Sequence, residues 1–123
     1  MASYSDNVFD SGLDYLSTNV DDLHICSQEP ATYTEATSTY TLGDKQTITV
    51  SAAADRTGGG REVTISAFTD GDVTATGTAS HYALVYTTGT ELCVTGALAS
   101  SQAVTSGNTF EISAFAAGFQ DPA

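Results

Sequence analysis

Carboxylates that stand close together in the chain are the first candidates for chemistry, because clustered carboxylate oxygens can hold a calcium ion. Two such groups occur, Asp21-Asp22 and Asp70-Gly71-Asp72. Calcium takes about six to eight oxygen ligands, and its commonest loop carries acids at alternating positions and ends in a glutamate. Neither group completes that set. We therefore predict that residues 70–72 form a solvated hairpin turn and that the chain binds no metal.

The two histidines and one glycine-rich loop are the other features that could support chemistry. His24 lies two residues before Cys26, which places both on one face of a strand, but two ligands do not make a zinc site. Neither His24 nor His81 is accompanied by a G-x-S-x-G segment. The loop ADRTGGGRE lacks the Lys-Ser/Thr ending of a phosphate-binding loop. These features predict structural histidines, a flexible hairpin tip, no cofactor and no enzyme.

The charge of the chain limits its partners. Fifteen acids stand against three bases, which gives a formal net charge of −12. Three cations cannot form a groove for nucleic acid, and the same argument excludes an anionic membrane surface. The bases Lys45, Arg56 and Arg61 all fall within residues 45–61. Two hypotheses stay open for them: pairing with nearby acids such as Asp55, or a small cationic spot that docks an acidic neighbouring subunit.

The N-terminal sequence and the cysteines indicate a compartment. The opening MASYSDNVFDSGLDYL has neither a basic region nor an apolar run, so no signal peptide is predicted. No stretch approaches about eighteen apolar residues. We therefore expect synthesis in the cytosol, where Cys26 and Cys93 are more often free, buried thiols than a disulfide. Ile, Leu, Val and Phe supply only 24 residues, so contacts with partners are expected to add to stability.

The elements that would position these residues begin with a helix. Apolar residues at helical spacing, Phe9 and Leu13 among them, predict a short amphipathic helix over 7–17, inside an N-terminal segment of residues 1–22. Its apolar face is expected to cover one end of a sheet.

A single β domain is predicted to follow, over residues 23–116, with a C-terminal tail at 117–123. Its first strand is predicted at 23–28. Residues 29–45 are rich in Thr, Ala and Tyr, which fits either a surface loop or an extended arm laid over another subunit.

Alternating apolar and polar residues predict the remaining strands. The segments are QTITVSA, EVTISAF, DVTATGTA, HYALVYT, ELCVTGAL and TFEISAF, which begin at residues 46, 62, 72, 81, 91 and 109. Gly-bearing turn sequences separate most of them. HYALVYT is apolar on both sides and is expected to be a central strand. Short strands at this spacing indicate an antiparallel β-sandwich or barrel-like domain with one short N-terminal helix.

One short pattern occurs twice, as VTISAF at 63–68 and FEISAF at 110–115. The flanking residues show no repeat period, so a duplicated domain is not indicated. We predict instead two strands that meet similar environments in one core. An aspartate at Ile65 or at Ile112 would then bury an unpaired charge and unfold the domain in both cases.

Three segments resemble small virion-associated structural proteins of tailed bacteriophages and prophages. They are LHICSQEPATYTEATSTYTLGDK, GREVTISAFTDGDVTATGTASHYALV and LCVTGALASSQAVTSGNTFEISAF. The resemblance implies a non-enzymatic subunit of a virion, made in the host cytoplasm and first of all a capsid decoration, or cement, protein. Its partners would be the major capsid protein, other virion subunits or copies of itself.

Two alternatives stay open beside that expectation. One is a neck, tail or fibre component, and the other is a carbohydrate- or receptor-binding sandwich in which Tyr82, Tyr86 and two further tyrosines stack on sugars. The candidate partner contacts are Phe9, Leu13, Tyr33, Tyr40, Lys45, Arg56 and Arg61.

Overall fold

The computed structural model describes residues 5–120 and is mainly β with one N-terminal helix, as the sequence predicts. The elements are α1 (Asp6–Asn19), β1 (Asp22–Cys26), a π-helical turn (Glu35–Thr39), β2 (Thr41–Gln46), β3 (Ala54–Asp55), β4 (Arg61–Ile65), β5 (Phe68–Val73), β6 (Gly77–Tyr86), β7 (Glu91–Val104), β8 (Thr109–Ile112) and β9 (Phe115–Phe119).

The strands of this described part form two antiparallel sheets. The larger sheet is curled and has six strands in the order β7-β6-β1-β2-β5-β8. The smaller sheet has the order β3-β4-β9. Strand β6 lies between β7 and β1, which confirms the prediction that HYALVYT is an interior strand. Strands β7 and β8 are the two edges of the larger sheet.

The main core lies between the curled sheet and the smaller sheet. Alternate residues of β1, Leu23 and Ile25, point into it together with Ile65 of β4 and Leu84 of β6. All four are at most 3% exposed. The period-2 pattern that predicted these strands therefore corresponds to real burial of one strand face.

A second, smaller cluster lies on the opposite face of β1 and β6. Cys26, Ala83 and Val85 are buried there against Ala36 of the π-helical turn, with Tyr33 and Tyr40 packed around them. The π-helical turn covers this face of the sheet, so β6 has apolar neighbours on both of its faces. Its unbroken apolar sequence follows from that double burial.

Helix α1 packs on β4 through the face that the spacing predicted. Phe9 and Leu13 are 6% and 1% exposed, and the Phe9 ring stacks on Phe119 with centroids 5.6 Å apart. Ser5 is the N-cap residue, although its side chain makes no capping hydrogen bond. The helix extends two residues beyond the predicted end, to Asn19.

The two similar hexamers turn out to be partners of each other. Ile65 is paired with Phe115 across β4 and β9, and Phe68 is paired with Ile112 across β5 and β8. In both hexamers the Ser-Ala step lies between strands of different sheets. Each copy therefore crosses from one sheet to the other at the same corner in opposite directions, and each isoleucine faces the other copy's terminal phenylalanine. Similar sequences reflect this near-symmetric corner.

The segment 41–52 differs from the prediction. The expected strand 46–52 is irregular, with a single bridge between Val50 and Ile65. Residues 41–45 of the expected loop or arm form β2 together with Gln46, and β2 lies between β1 and β5. Thr47 has a φ of 60°, a left-handed conformation that ends β2. Ile48 and Val50 still pack against the main core, half-buried. Apolar alternation therefore located a buried segment here but not its backbone conformation.

Residues 70–72 form part of β5 and not a hairpin turn. Gly71 lies opposite Phe110 of β8, and a Cβ at this position would come within 2.5 Å of the Phe110 ring. Glycine is therefore required by the close approach of an aromatic side chain, and not by a turn. The true hairpin tip is the Gly58–Gly60 loop between β3 and β4, where all three glycines have positive φ.

The predicted C-terminal tail also needs correction. Phe115–Phe119 is β9 and pairs along its whole length with β4. Only Gln120 of that predicted tail follows β9 within the described part, and residues 121–123 lie outside it.

Candidate functional site

A cleft of about 820 Å³ lies on the open side of the curled sheet. Strands β7 and β8, the two sheet edges, form its walls, and residues of the main core form its floor. The lining is mostly small or apolar, and includes Ile25, Tyr82, Leu98, Ala99, Phe110, Ile112 and Phe115. The sheet curls towards a barrel without closing, and the cleft occupies the gap.

Aromatic contacts shape the floor of this cleft. Tyr82 and Phe115 lie with ring centroids 4.7 Å apart, and Phe68 meets Phe110 edge to face at 5.6 Å. Burial raises the pKa of Tyr82, so its hydroxyl stays protonated at neutral pH and is available as a hydrogen-bond donor.

The β7 wall is unusual for an exposed sheet edge. From Leu92 to Phe110 the sequence contains no charged residue, and β7 contains neither lysine nor proline, which are the common guards of an edge. In the register with β6, Ala97 pairs with His81 and Gln102 with Ala79. The four residues between them, 98–101, therefore bulge opposite one residue of β6. This bulge, a second irregularity at Cys93 and the single charge of Glu91 are the features of β7 that hinder pairing at the edge.

An exposed edge carries main-chain N–H and C=O groups that are free to pair with another strand. Together with an apolar cleft beside it, such an edge can bind an extended peptide by strand addition, with the cleft accepting alternate side chains. The arrangement can therefore support recognition by main-chain hydrogen bonds and apolar contact.

The three predicted cationic contacts are each engaged within the protein. Arg61 donates to both carboxylate oxygens of Asp10 at 2.9 and 3.2 Å and to Asp55 at 2.7 Å. These acids raise the pKa of Arg61 further above its usual range. Lys45 pairs with Asp70 at 3.1 Å. This geometry favours the hypothesis of intramolecular pairing, and it ties α1 to the β3–β4 hairpin.

Arg56 differs from the other two cations. Its guanidinium donates to the carbonyl oxygens of Thr57 and Gly59 at 3.4 and 3.2 Å, which holds the glycine-rich tip closed. Among the described residues Arg56 makes no ion pair with a carboxylate. It is therefore the one predicted cation whose charge is not already neutralised.

The four apolar and aromatic contacts of the prediction lie in interior or half-buried positions. Phe9 and Leu13 face the protein's own interior, so in this structure they offer no surface to a partner. Tyr33 and Tyr40 are half-buried around the second cluster. Tyr82 lies in the cleft, so these tyrosines do not form one exposed platform for a sugar.

Both cysteines are free, Cys26 buried and Cys93 half-buried. Burial raises the pKa of Cys26 to about 11, and burial followed by the nearby Glu91 raises the pKa of Cys93 to about 11. Because the thiolate is the reactive form, neither side chain is an activated nucleophile at neutral pH.

His81 and Ser80 contact each other, with Nδ1 2.8 Å from the Ser80 hydroxyl oxygen. The same hydroxyl lies 3.0 Å from the carbonyl oxygen of Ser27, which can accept its proton.

One group of potential metal ligands occurs among the described residues: Asp22, His24 and Asp44. Burial lowers the pKa of His24. Burial, followed by the charges of Asp21 and then Asp44, raises the pKa of Asp22. Sequence patterns placed Asp22 and His24 only in separate groups, and Asp44 is brought opposite His24 only by the pairing of β1 with β2.

No protein-family model, no curated protein and no solved structure matches this chain. Within residues 5–120, none of the helical segments combines the length and the apolar character needed to cross a bilayer.

Proposed function

We propose that this protein is a non-enzymatic assembly protein that binds a protein neighbour through the open side of its curled sheet. The observation that carries the proposal is the edge strand β7, uncharged from Leu92 to its end, beside the apolar cleft. In a chain of net charge −12, the nineteen consecutive residues 92–110 carry no charge, and many of them line this cleft.

The proposed occupant is an extended segment of a shell subunit with small, uncharged side chains. Main-chain pairing with β7 would supply affinity, and alternate side chains would enter the cleft between β7 and β8. An acidic segment would lose hydration there and would face Glu111, a residue of β8 that lines the cleft. A basic segment would find that single carboxylate among the lining residues.

The assembly that we propose is a phage particle, because the sequence resembles virion structural proteins. A capsid decoration, or cement, protein fits an acidic molecule best, since the outer shell surface does not contact packaged DNA. A neck, tail or fibre component would use the same kind of protein contact. Its copy number in the particle would distinguish it from a decoration protein. The sugar-binding alternative receives no support from the separated tyrosines.

The test uses particles assembled in the host with an epitope-tagged copy of the full chain. Particles are purified by density gradient, and the chain is quantified relative to the major capsid protein. A copy number that scales with the shell subunits supports a decoration protein, whereas a copy number of a single ring supports the neck or tail. Absence of the chain from intact particles would overturn the phage assignment.

The binding edge is tested by Ala99→Lys, which adds a gatekeeping charge to the exposed bulge of β7. We expect incorporation to fall by about tenfold or more, equivalent to about 1.4 kcal/mol of binding. Ala54→Lys is the matched control, because Ala54 is an exposed alanine on β3 of the other sheet. Both variants should keep their stability within about 0.5 kcal/mol. Equal incorporation of the two would overturn the assignment of β7.

A further inference from the structure

Three metal-ligating side chains meet on the face of the curled sheet that is opposite to the main core. Asp22 and His24 are two residues apart on β1 and so share a face, and Asp44 of β2 is the register partner of His24. The atoms that these side chains offer lie within 4.8 Å of one another. His24 is only 8% exposed, while the two carboxylates are half-buried.

Hydrogen bonding to Thr41 orients the His24 ring. The Thr41 hydroxyl lies 3.2 Å from the carbonyl oxygen of Gly43, which can only accept, and 3.0 Å from His24 Nδ1. The neutral tautomer with its proton on Nδ1 satisfies both contacts at once, and it places the lone pair on Nε2.

A metal-binding histidine commonly donates one ring N–H to an oxygen acceptor, which fixes the ring orientation and directs the other nitrogen at the ion. Thr41 is placed to be that acceptor for His24. An imidazole that is 8% exposed and oriented by Thr41 is an observation independent of the carboxylates.

The carboxylates of the cluster lack a compensating positive charge. Lys45 pairs with Asp70, Arg61 pairs with Asp6, Asp10 and Asp55, and Arg56 contacts carbonyl oxygens of its own loop. Within the described part, none of these cations pairs with Asp22 or Asp44. Asp72 of β5 is also the register partner of Asp44, so a further negative charge adjoins the site, and a bound cation would relieve this repulsion.

We propose that Asp22, His24 and Asp44 form a binding site for a divalent transition-metal ion, with Zn²⁺ as the best fit. Zn²⁺ accepts imidazole nitrogen and carboxylate oxygen together, whereas Ca²⁺ and Mg²⁺ favour all-oxygen sites. With metal–ligand bonds of about 2.0–2.1 Å, tetrahedral ligands lie about 3.3 Å apart. The ligand atoms now lie within 4.8 Å of one another, so side-chain rotation must bring them closer together. A water molecule would occupy the fourth coordination position of the ion.

The first experiment titrates ZnCl₂ into the chelator-treated full chain by isothermal calorimetry. We expect one saturable equivalent per chain that excess Ca²⁺ does not displace. Asp44→Asn, which keeps the size of the side chain, should weaken binding by at least tenfold, and Thr41→Val should weaken it by about 10–100-fold through the orientation of His24. His81→Ala and Cys93→Ser are the controls and should leave binding unchanged.

The second experiment identifies the ligating nitrogen by long-range ¹H–¹⁵N NMR of the histidines. On addition of Zn²⁺, the Nε2 signal of His24 should shift while Nδ1 stays protonated, and His81 should not respond. Loss of binding in the His81 or Cys93 variant would overturn the proposal. So would unchanged affinity in Asp44→Asn, or no saturable binding by the wild-type chain.

Discussion

The two sides of this molecule differ in how completely they are buried. Every buried residue of the described chain lies between Phe9 and Val85, in what we call the closed region (residues 6–86). The open wall, β7 and β8, contains none, although it includes the longest strand of the structure. The closed region therefore holds the fully buried core. Half-buried residues of the open wall, such as Leu98 and Phe110, pack against this core, and the wall leaves apolar surface and main-chain groups available.

The charge distribution follows the same division. All three cations and most of the acids belong to the closed region, whereas residues 92–110 are uncharged. Charged residues would protect an edge strand against unwanted pairing. Residues 92–104 of β7 lack this protection, and Glu91 at its first position is the one charged residue of the strand.

The repeated hexamers provide the most sensitive comparison of the two sides. Ile65 is fully buried in the closed region, whereas its counterpart Ile112 is half-buried at the cleft. Ile65→Asp should lower the free energy of unfolding by more than about 4 kcal/mol and unfold the domain, because it buries an unpaired charge. Ile112→Asp should lower the free energy of unfolding by about 1–2 kcal/mol and leave the domain folded, since the charge can reach water in the cleft.

Urea unfolding followed by circular dichroism measures both variants. This result would revise the expectation from sequence that both substitutions unfold the domain alike. If Ile112→Asp unfolded the protein as completely as Ile65→Asp, the open wall would belong to the stable core and the division would fail.

The ion-pair network of Arg61 tests whether the closed region is held by charge as well as by packing. Arg61→Glu places a third carboxylate beside Asp10 and Asp55, and we expect a lower melting temperature and faster amide exchange in α1 and β4. Arg56→Glu is the control. Among the described residues the Arg56 guanidinium contacts only carbonyl oxygens, so this variant should change the melting temperature and amide exchange little. Hydrogen–deuterium exchange measures the closed region and the open wall in the same experiment.

We expect Arg61→Glu to leave the amide exchange rates of β7 unchanged. Faster exchange in β7 without any change in α1 would contradict the proposed role of this network. Added salt should narrow the difference between the Arg61 and Arg56 variants, because exposed charges are screened.

The reactivity of the two thiols is expected to have the smallest effect on the protein. The rate at which each thiol reacts measures its accessibility and leaves the stability of the fold unchanged. Cys93 lies on the open wall and Cys26 in the closed region. A pKa of about 11 instead of the ordinary 9.0 leaves about a hundredfold less thiolate at pH 8, so Cys93 should react slowly with a disulfide reagent. Raising the pH by one unit should increase that rate about tenfold.

Cys26 should react only after unfolding, because it is fully buried beneath the π-helical turn. Cys93→Ser should therefore abolish labelling of the native protein. Labelling of Cys26 at a rate equal to that of Cys93 would indicate that the second cluster opens readily and that the closed region is less closed than its burial suggests.

Local patterns predicted some elements well and others poorly for identifiable reasons. Helix α1 and strand β4 have strong apolar periodicity, and both occur where the sequence places them. Strand β2 has little apolar signal because one of its faces is the polar outer surface, and its conformation depends on pairing with β1 and β5. The Asp70-Gly71-Asp72 segment has turn composition, but Phe110 across the sheet explains its glycine.

The candidate sites were less accessible to sequence reasoning than the fold. The absence of charge from residues 92–110 can be read directly from the chain, and it is the one local signal of the proposed binding edge. Neither the cleft nor the meeting of Asp44 with His24 has such a signal. Both depend on which strands become neighbours.

The sequence by itself determined the acidic character of this protein, its short N-terminal helix and its β-rich class, because charge, helical spacing and strand alternation act over a few residues. Only the tertiary structure decided that the two hexamers pair, that the curled sheet stays open between β7 and β8, and that Asp44 faces His24. The physical reason is that main-chain pairing between distant strands sets these contacts, and each strand's own residues constrain its pairing partner only weakly.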